Sequence, residues 1–73
     1  MAHLTHEQYD ALERAIVKGT RVAIRRRGRR EYVVIPLTLH QRGGREAIEA
    51  RNPVTGDDLT LYLDEIDALE VVE

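Results

Sequence analysis

Residues 56–68 of the chain read GDDLTLYLDEIDA, and this stretch decides the fold. Its leucines alternate with polar residues, which is the period of a half-buried β-strand. Four residues with a single isoleucine, Ile66, then interrupt the pattern, and an apolar strand pattern resumes at residues 68–72. The stretch therefore predicts two short strands joined by a tight polar turn with one buried isoleucine, an arrangement that closes a small β-barrel.

A helix is predicted N-terminal to the strands, over residues 6–18. Thr5 and Gln8 have the spacing of a capping box, in which each side chain bonds the backbone N–H of the other residue. Apolar residues then recur at three- and four-residue intervals on one face: Tyr9, Leu12, Ala15 and Ile16. Gly19 follows as a helix-ending residue suited to the left-handed conformation.

Three further strands are predicted between the helix and the opening stretch, over residues 20–27, 31–40 and 45–51. The second is apolar on both faces and contains Pro36, which cannot donate to a strand ladder and so predicts an edge position, a bulge or a bend. The expected core is Leu12, Ile16, Val22, Ile24, Val33, Ile35, Leu37, Ile48, Leu59, Leu61, Ile66, Leu69 and Val71. The fold class is thus mainly β: a small five-stranded antiparallel barrel of the Sm-like or SH3-like kind with an N-terminal α-helix, expected as one domain over residues 1–73.

The composition limits the core of this domain. The chain has 73 residues without Cys, Trp or Phe, so neither a disulfide nor a thiolate metal site can stabilise it. A core this small often needs support from a partner. No apolar run approaches the roughly 20 residues that span a membrane, and the N-terminus lacks the features of a signal peptide. A cytoplasmic location without a membrane partner is therefore expected.

The net charge of −2 conceals an uneven distribution. Residues 1–30 carry eight basic and three acidic side chains, whereas residues 31–73 carry three basic and ten acidic ones. From Asp57 to the end there are seven acidic residues and no basic one. Such a split predicts either neutralisation within the fold or two oppositely charged faces.

Several motifs follow one another in a recognisable order. They are the helical residues 11–16, the arginine-flanked residues 22–24, the Pro-containing residues 34–37, the Gly-Gly-Arg of residues 43–45, and residues 59–66. In order and spacing the chain resembles the WYL domain from Ala11 to Val72. This family consists of small Sm-like barrels found mostly C-terminal to DNA-binding modules in bacterial transcription regulators. The resemblance implies the barrel fold and a regulatory role.

The chain departs from the family pattern at the signature positions. The three residues that name the family fall on Glu46, Ala47 and Ile48, so only the aliphatic one is retained in kind. An aromatic residue of the family's first strand corresponds to a position near Arg26, and an arginine of its fourth strand corresponds to Tyr62. In the family these positions are linked to nucleotide or nucleic-acid ligands, so the resemblance implies the fold more directly than a ligand.

The arginines around the predicted turn between the first two strands are the candidate ligand contacts: Arg25, Arg26, Arg27, Arg29 and Arg30. Guanidinium groups at a hairpin tip can neutralise phosphates and release counterions. The alternative is that these arginines are solvated or pair with acidic residues. The fifth strand of an Sm-like barrel lies beside the first, which would bring Asp67 and Glu70 close to them.

Tyr62 is the sixth candidate. It alternates with the inward leucines, so it points outward and could stack on a base of single-stranded nucleic acid. The alternative is that it packs against a helix or a neighbouring subunit.

The remaining polar residues give no sign of catalysis or of a metal or other cofactor. His3 and His6 lie at one end and His40 lies far away in sequence, whereas a zinc site needs three or four converging ligands. The paired carboxylates lie in predicted turns, where Asp caps the backbone. The chain has neither Ser nor Cys to act as a nucleophile. We therefore expect no enzymatic activity, no cofactor and no metal.

Two hypotheses of function remain. The first is a non-enzymatic regulatory module that contacts nucleic acid or a phosphorylated ligand through its arginine-rich hairpin. The second is a protein-interaction or self-assembly module, a homo-oligomer or part of a larger complex, in which edge strands and opposite charges drive association.

Overall fold

The structure is a computed structural model that describes residues 4–28 and 30–72 of the chain. It contains the helix α1 (His6–Lys18) and the strands β1 (Arg21–Arg26), β2 (Glu31–Arg42), β3 (Arg45–Arg51), β4 (Asp58–Tyr62) and β5 (Ile66–Val72). A single 3-10 turn, Leu63–Glu65, joins β4 to β5. All neighbouring strands are antiparallel, in the order β4-β3-β2-β1-β5. The predicted class, a small mainly β fold with one N-terminal helix, is confirmed.

The helix α1 begins and ends where its capping residues predict. The Thr5 hydroxyl accepts a hydrogen bond from the Gln8 backbone N–H at 3.1 Å, and the Gln8 side chain accepts one from the Thr5 N–H at 2.9 Å. Gly19 ends the helix with φ of 72°, in the left-handed region that glycine adopts without steric cost. Leu12 and Ala15 are buried, so α1 packs on the sheet through one face. None of the helices among the described residues is long and apolar enough to cross a membrane.

The expected inward face of β2 was wrong by one residue. Val34 and Pro36 are buried, whereas Val33 is 40% and Leu37 37% exposed and Ile35 is only half-buried. Because β2 is apolar on both faces, its sequence carries no alternation that distinguishes one face from the other. Pairing with β1, which places Val34 opposite Val22, decides the matter.

A bulge in β2 follows Pro36, which is one of the three alternatives expected for this residue. The pairing of β2 with β3 shifts between Pro36 and Thr38, which leaves Leu37 as the extra residue. The N-terminal part of β2 pairs with β1, and the part that begins at Ile35 pairs with β3. Beyond the bulge the inward position passes to Leu39, which packs against the core. The long strand β2 thus pairs with β1 through its N-terminal part and with β3 through its C-terminal part.

The turn that closes the fold follows the opening stretch of sequence. Ile66 is fully buried and Leu63 nearly so, while Asp64 and Glu65 between them face solvent in part. The strand β5 begins at Ile66, two residues earlier than expected, and pairs with β1 along its whole length. The main core cluster is Leu12, Ala15, Val22, Ile24, Val34, Ile48, Ala50, Leu61, Leu63, Ile66 and Leu69. The predicted core residues Ile16, Leu59 and Val71 are partly buried against this cluster.

Candidate anion-binding site

The hairpin between β1 and β2 carries the predicted arginines to its tip. Arg25 is paired with Glu31 at the end of the ladder, and the chain then turns through Gly28, whose φ is 66°. Arg25, Arg27 and Arg30 are exposed, and none of them forms an ion pair with another described residue. Arg29, also predicted as a contact, lies outside the described residues.

Arg26 differs from its neighbours because its side chain lies against the rest of the protein. Its guanidinium donates a hydrogen bond to Glu65 Oε1 at 2.9 Å and another to the Tyr32 hydroxyl at 3.3 Å. These hydrogen bonds, to Tyr32 and then Glu65, raise the pKa of Arg26. The pairing of β1 with β5 has a bulge between Arg25 and Arg26, where the exposed Arg25 gives way to the partly buried Arg26.

Arg45 approaches the same turn from the hairpin between β2 and β3. Its Nε and Nη2 atoms donate to the two oxygens of Asp64 at 2.9 and 2.7 Å, and Nη2 also donates to Glu65 Oε2 at 3.2 Å. This is the two-pronged arrangement that matches a guanidinium to a planar anion. The hydrogen bond from Arg45 holds the pKa of Asp64 below its usual value, and Arg26 and Arg45 together lower that of Glu65.

A third arginine, Arg27, completes the group. Its Nη2 atom donates to the backbone carbonyl of Asp64 at 3.3 Å, and its backbone N–H donates to the carbonyl of Glu65 at 2.9 Å. We call Arg26, Arg27 and Arg45 the arginine cluster, and Asp64 and Glu65 the acidic pair. Three positive charges thus lie against two negative ones, which leaves the group net positive.

Tyr62 packs against Arg45, one member of this cluster. The guanidinium carbon of Arg45 is 3.9 Å from the centre of the Tyr62 ring, the distance of a cation–π contact. Tyr62 also lies opposite Ala47 in the pairing of β3 with β4. One face of the ring is therefore covered by Arg45, which is neither of the two partners expected for it, a nucleic-acid base or a helix or neighbouring subunit.

The structure alters the expected set of residues in two ways. The carboxylate that pairs with Arg26 is that of Glu65, not that of Asp67 or Glu70 further along β5. Arg45 was not predicted, because in sequence it stands alone after Gly43 and Gly44. Its only sequence signal is that Gly-Gly turn: both glycines have positive φ, so the hairpin is tight and places Arg45 at its tip.

A cavity of about 380 Å³ borders the Arg45–Asp64 pair. Its lining is mixed in polarity: Leu4, Tyr9, Gln41, Gly44, Arg45, Glu46, Leu63 and Asp64. Inside it the Tyr9 hydroxyl donates a hydrogen bond to Glu46 at 2.6 Å. That bond, with burial and the negative charge of Glu46, raises the pKa of Tyr9 to about 12.

The two described histidines, His6 and His40, belong to no group of three possible metal ligands. His40 contacts Glu49 at 3.2 Å, and Glu49 also accepts a hydrogen bond from Thr60 at 2.7 Å. Across residues 4–28 and 30–72, no three side chains of the kind that ligate metals come together. His3 lies outside this part of the chain.

Comparison with known proteins finds similar solved structures but no matching family model or curated protein. Among solved structures, the chain is similar to proteasome accessory factor B/C (PafBC) of Arthrobacter aurescens, with a TM-score of 0.75 and 24% identity. The match covers 97% of this chain and 12% of PafBC, so the chain spans about one eighth of that protein's length. The likeness establishes a shared fold.

Proposed function

We propose that this chain is a non-enzymatic regulatory binding module of the WYL-like kind, and that its arginine-rich hairpin contacts nucleic acid or a phosphorylated ligand. The fold shared with PafBC and the order of the sequence motifs support the WYL-like relationship. The ligand is proposed from the arginines themselves.

One observation carries the proposal. Arg25, Arg27 and Arg30 are exposed around a single hairpin turn, and no carboxylate among the described residues pairs with them. Like charges so close together repel one another, so the cost of placing them there falls when a polyanion binds. Guanidinium groups also match phosphate in shape and hydrogen bonding. A phosphate-bearing ligand therefore fits this tip.

The second candidate function, self-association or binding of another protein, has its own supporting observation. β4 and β5 are the outer strands of the sheet, so one side of each is free of a strand partner in the described chain. Val33 and Val72 are each 40% exposed. An open strand edge and exposed apolar side chains are features of protein interfaces.

Titration of labelled single-stranded DNA and RNA separates the two functions. We expect binding at about 50 mM salt, where exposed charges are least screened, and a steep loss of affinity as salt is raised. Substituting Gln for Arg25, Arg27 and Arg30 together should abolish most of the affinity without unfolding the domain. Arg26 is left unchanged in this variant because it pairs with Glu65.

A matched control removes the same charge elsewhere. Arg14, Lys18 and Arg21 are exposed near the end of α1 and the start of β1, at the other end of β1 from the hairpin tip. Replacing these three by Gln should leave most of the binding intact. If the two triple variants lose affinity equally, binding is a property of net charge and the hairpin is not the site. If wild type binds neither nucleic acid, the protein-interaction function takes first place.

A further inference from the structure

The arginine cluster is arranged around the acidic pair as it would be around a ligand. Asp64 presents both carboxylate oxygens to Arg45, and Glu65 bridges Arg26 and Arg45 with one oxygen to each, at 2.9 and 3.2 Å. A phosphate group offers the same kind of acceptor, because two of its oxygens can accept parallel hydrogen bonds from one guanidinium. The contacts that a phosphate would make are thus made by two carboxylates of the same chain.

These ion pairs are open to exchange with a ligand from solution. The side chains of Arg45 and Asp64 are 43% and 46% exposed, and those of Arg26 and Glu65 are 32% and 38% exposed. Ion pairs that water reaches hold together weakly, so a multivalent anion can compete with them. The cavity beside Arg45 and Asp64 leaves room for an incoming group.

The charges of the region favour such an exchange. The cluster retains a net positive charge after pairing with the acidic pair, and the exposed Arg25 and Arg30 lie on the same hairpin as two of its members. An anion drawn to the hairpin tip therefore meets further guanidinium groups next to it. The ring of Tyr62 under Arg45 restricts the orientation of that guanidinium whether or not Asp64 holds it.

We propose that Arg26 and Arg45 form a second anion-binding site, adjoining the hairpin tip at Arg27, which the acidic pair Asp64 and Glu65 occupies when no ligand is bound. The acidic pair then acts as an internal competitor that weakens binding of phosphate-bearing ligands. This inference rests on the proposed function. It adds Arg45 to the site and assigns the 3-10 turn a role in regulating affinity.

The test is to neutralise the acidic pair without changing its shape. The double variant Asp64→Asn/Glu65→Gln should bind single-stranded DNA more tightly than its control. The control is Asp67→Asn/Glu70→Gln, which changes the net charge equally at two exposed residues of β5 outside the cluster. We expect a difference of about threefold or more in affinity at low salt, because a local competitor adds to the general effect of charge. The slope of log affinity against log salt should steepen by about 0.7 for each guanidinium that gains a phosphate.

A second measurement uses the wild-type protein, so its result does not depend on whether a variant folds. The Nε–H signals of Arg45 and Arg26 in an NMR spectrum report on their hydrogen bonds. Titration with a short oligothymidylate should shift both signals, since phosphate oxygens replace carboxylate oxygens. If only backbone signals near Arg25 and Arg30 move, the acidic pair is not displaced and the inference is wrong.

The possible outcomes separate the inference from the proposed function. If wild type binds DNA and the two double variants have equal affinity, the internal competitor is refuted while the hairpin site stands. If wild type fails to bind but the acidic-pair variant binds, the internal competitor is supported, while the proposed function, which requires the wild-type protein to bind, is wrong. If wild type and both variants all fail to bind, the inference and the proposed function are both wrong.

Discussion

Among single residues, Ile66 occupies the most demanding position. It is fully buried at the point where the 3-10 turn passes into β5. An Ile66→Asp substitution would place a carboxylate in the core without a partner, at a cost that a small domain cannot offset. We expect the variant to be unfolded at room temperature by circular dichroism. The control Ile66→Val should cost only about 0.5–1.5 kcal/mol. A cooperative melt of the Asp variant near the wild-type temperature would show that the closing turn is wrongly assigned.

Tyr9 gives a prediction about pH at the same scale. Its hydrogen bond to Glu46 raises its pKa from 10.0 to about 12 in the folded protein. A group whose pKa is raised by folding stabilises the fold below its unfolded pKa. That contribution is therefore complete at neutral pH and disappears as the pH rises from about 10 through 12.

Spectrophotometric titration of the tyrosines measures this effect. One of the three should ionise near pH 12 in wild type, and its pKa should fall toward 10.0 in Glu46→Gln, where neither the charge nor the strong acceptor remains. Tyr9→Phe should remove the late transition altogether. An unchanged titration in Glu46→Gln would mean that another group raises this pKa.

Among the elements, β2 tests the register of the sheet. Val34 lies opposite Val22 of β1 and is buried in the core, whereas its neighbour Val33 is 40% exposed. Valine and threonine have nearly the same shape, so a Val→Thr substitution at each position measures the cost of placing one hydroxyl there. We expect Val34→Thr to lower the free energy of unfolding by about 1–3 kcal/mol and Val33→Thr to change it by less than about 0.5 kcal/mol. Urea denaturation measures both, and the reverse order would contradict the register.

The helix and β2 show how far local sequence determines these elements. The bounds of α1 are predictable from Thr5, Gln8 and Gly19, because capping depends on residues a few positions apart. The bulge at Pro36 is predictable for the same reason, since a missing backbone N–H acts locally. The inward face of β2 is not, because the strand is apolar on both sides and only its pairing with β1 selects one.

In the candidate site, too, the residues that are close in sequence were predictable and the contacts between distant residues were not. The arginines of the β1–β2 hairpin are contiguous in sequence and could be identified there. Their engagement could not, because Arg26 meets Glu65 across 39 residues and Arg45 meets Asp64 across 19. Such contacts depend on where the strands place their ends. The alternative in which these arginines pair with acidic residues named Asp67 and Glu70 of β5, whereas the carboxylate that Arg26 meets is Glu65 in the preceding turn.

For the whole molecule, the small core and the unequal charge halves predict association. The main core cluster has eleven residues, none of them aromatic, and the two outer strands of the sheet are open on one side. We expect a dimer or larger assembly, formed through a strand edge or through contact of the basic and acidic regions. Sedimentation at micromolar concentration should show a mass above 8.4 kDa. A lone 8.4 kDa species at both low and moderate salt would exclude this.

The central claim is that the β1–β2 hairpin is where this protein meets an anionic ligand. Its most direct test is chemical-shift mapping of the labelled wild-type protein with single-stranded DNA at about 50 mM salt, where exposed charges still attract a polyanion strongly. The proposal predicts that the largest shifts fall on the hairpin arginines, Arg25, Arg27 and Arg30, and on the adjoining Arg26 and Arg45. It is contradicted if no signal moves, or if the shifts centre on Arg14 and Lys18 at the other end of the domain.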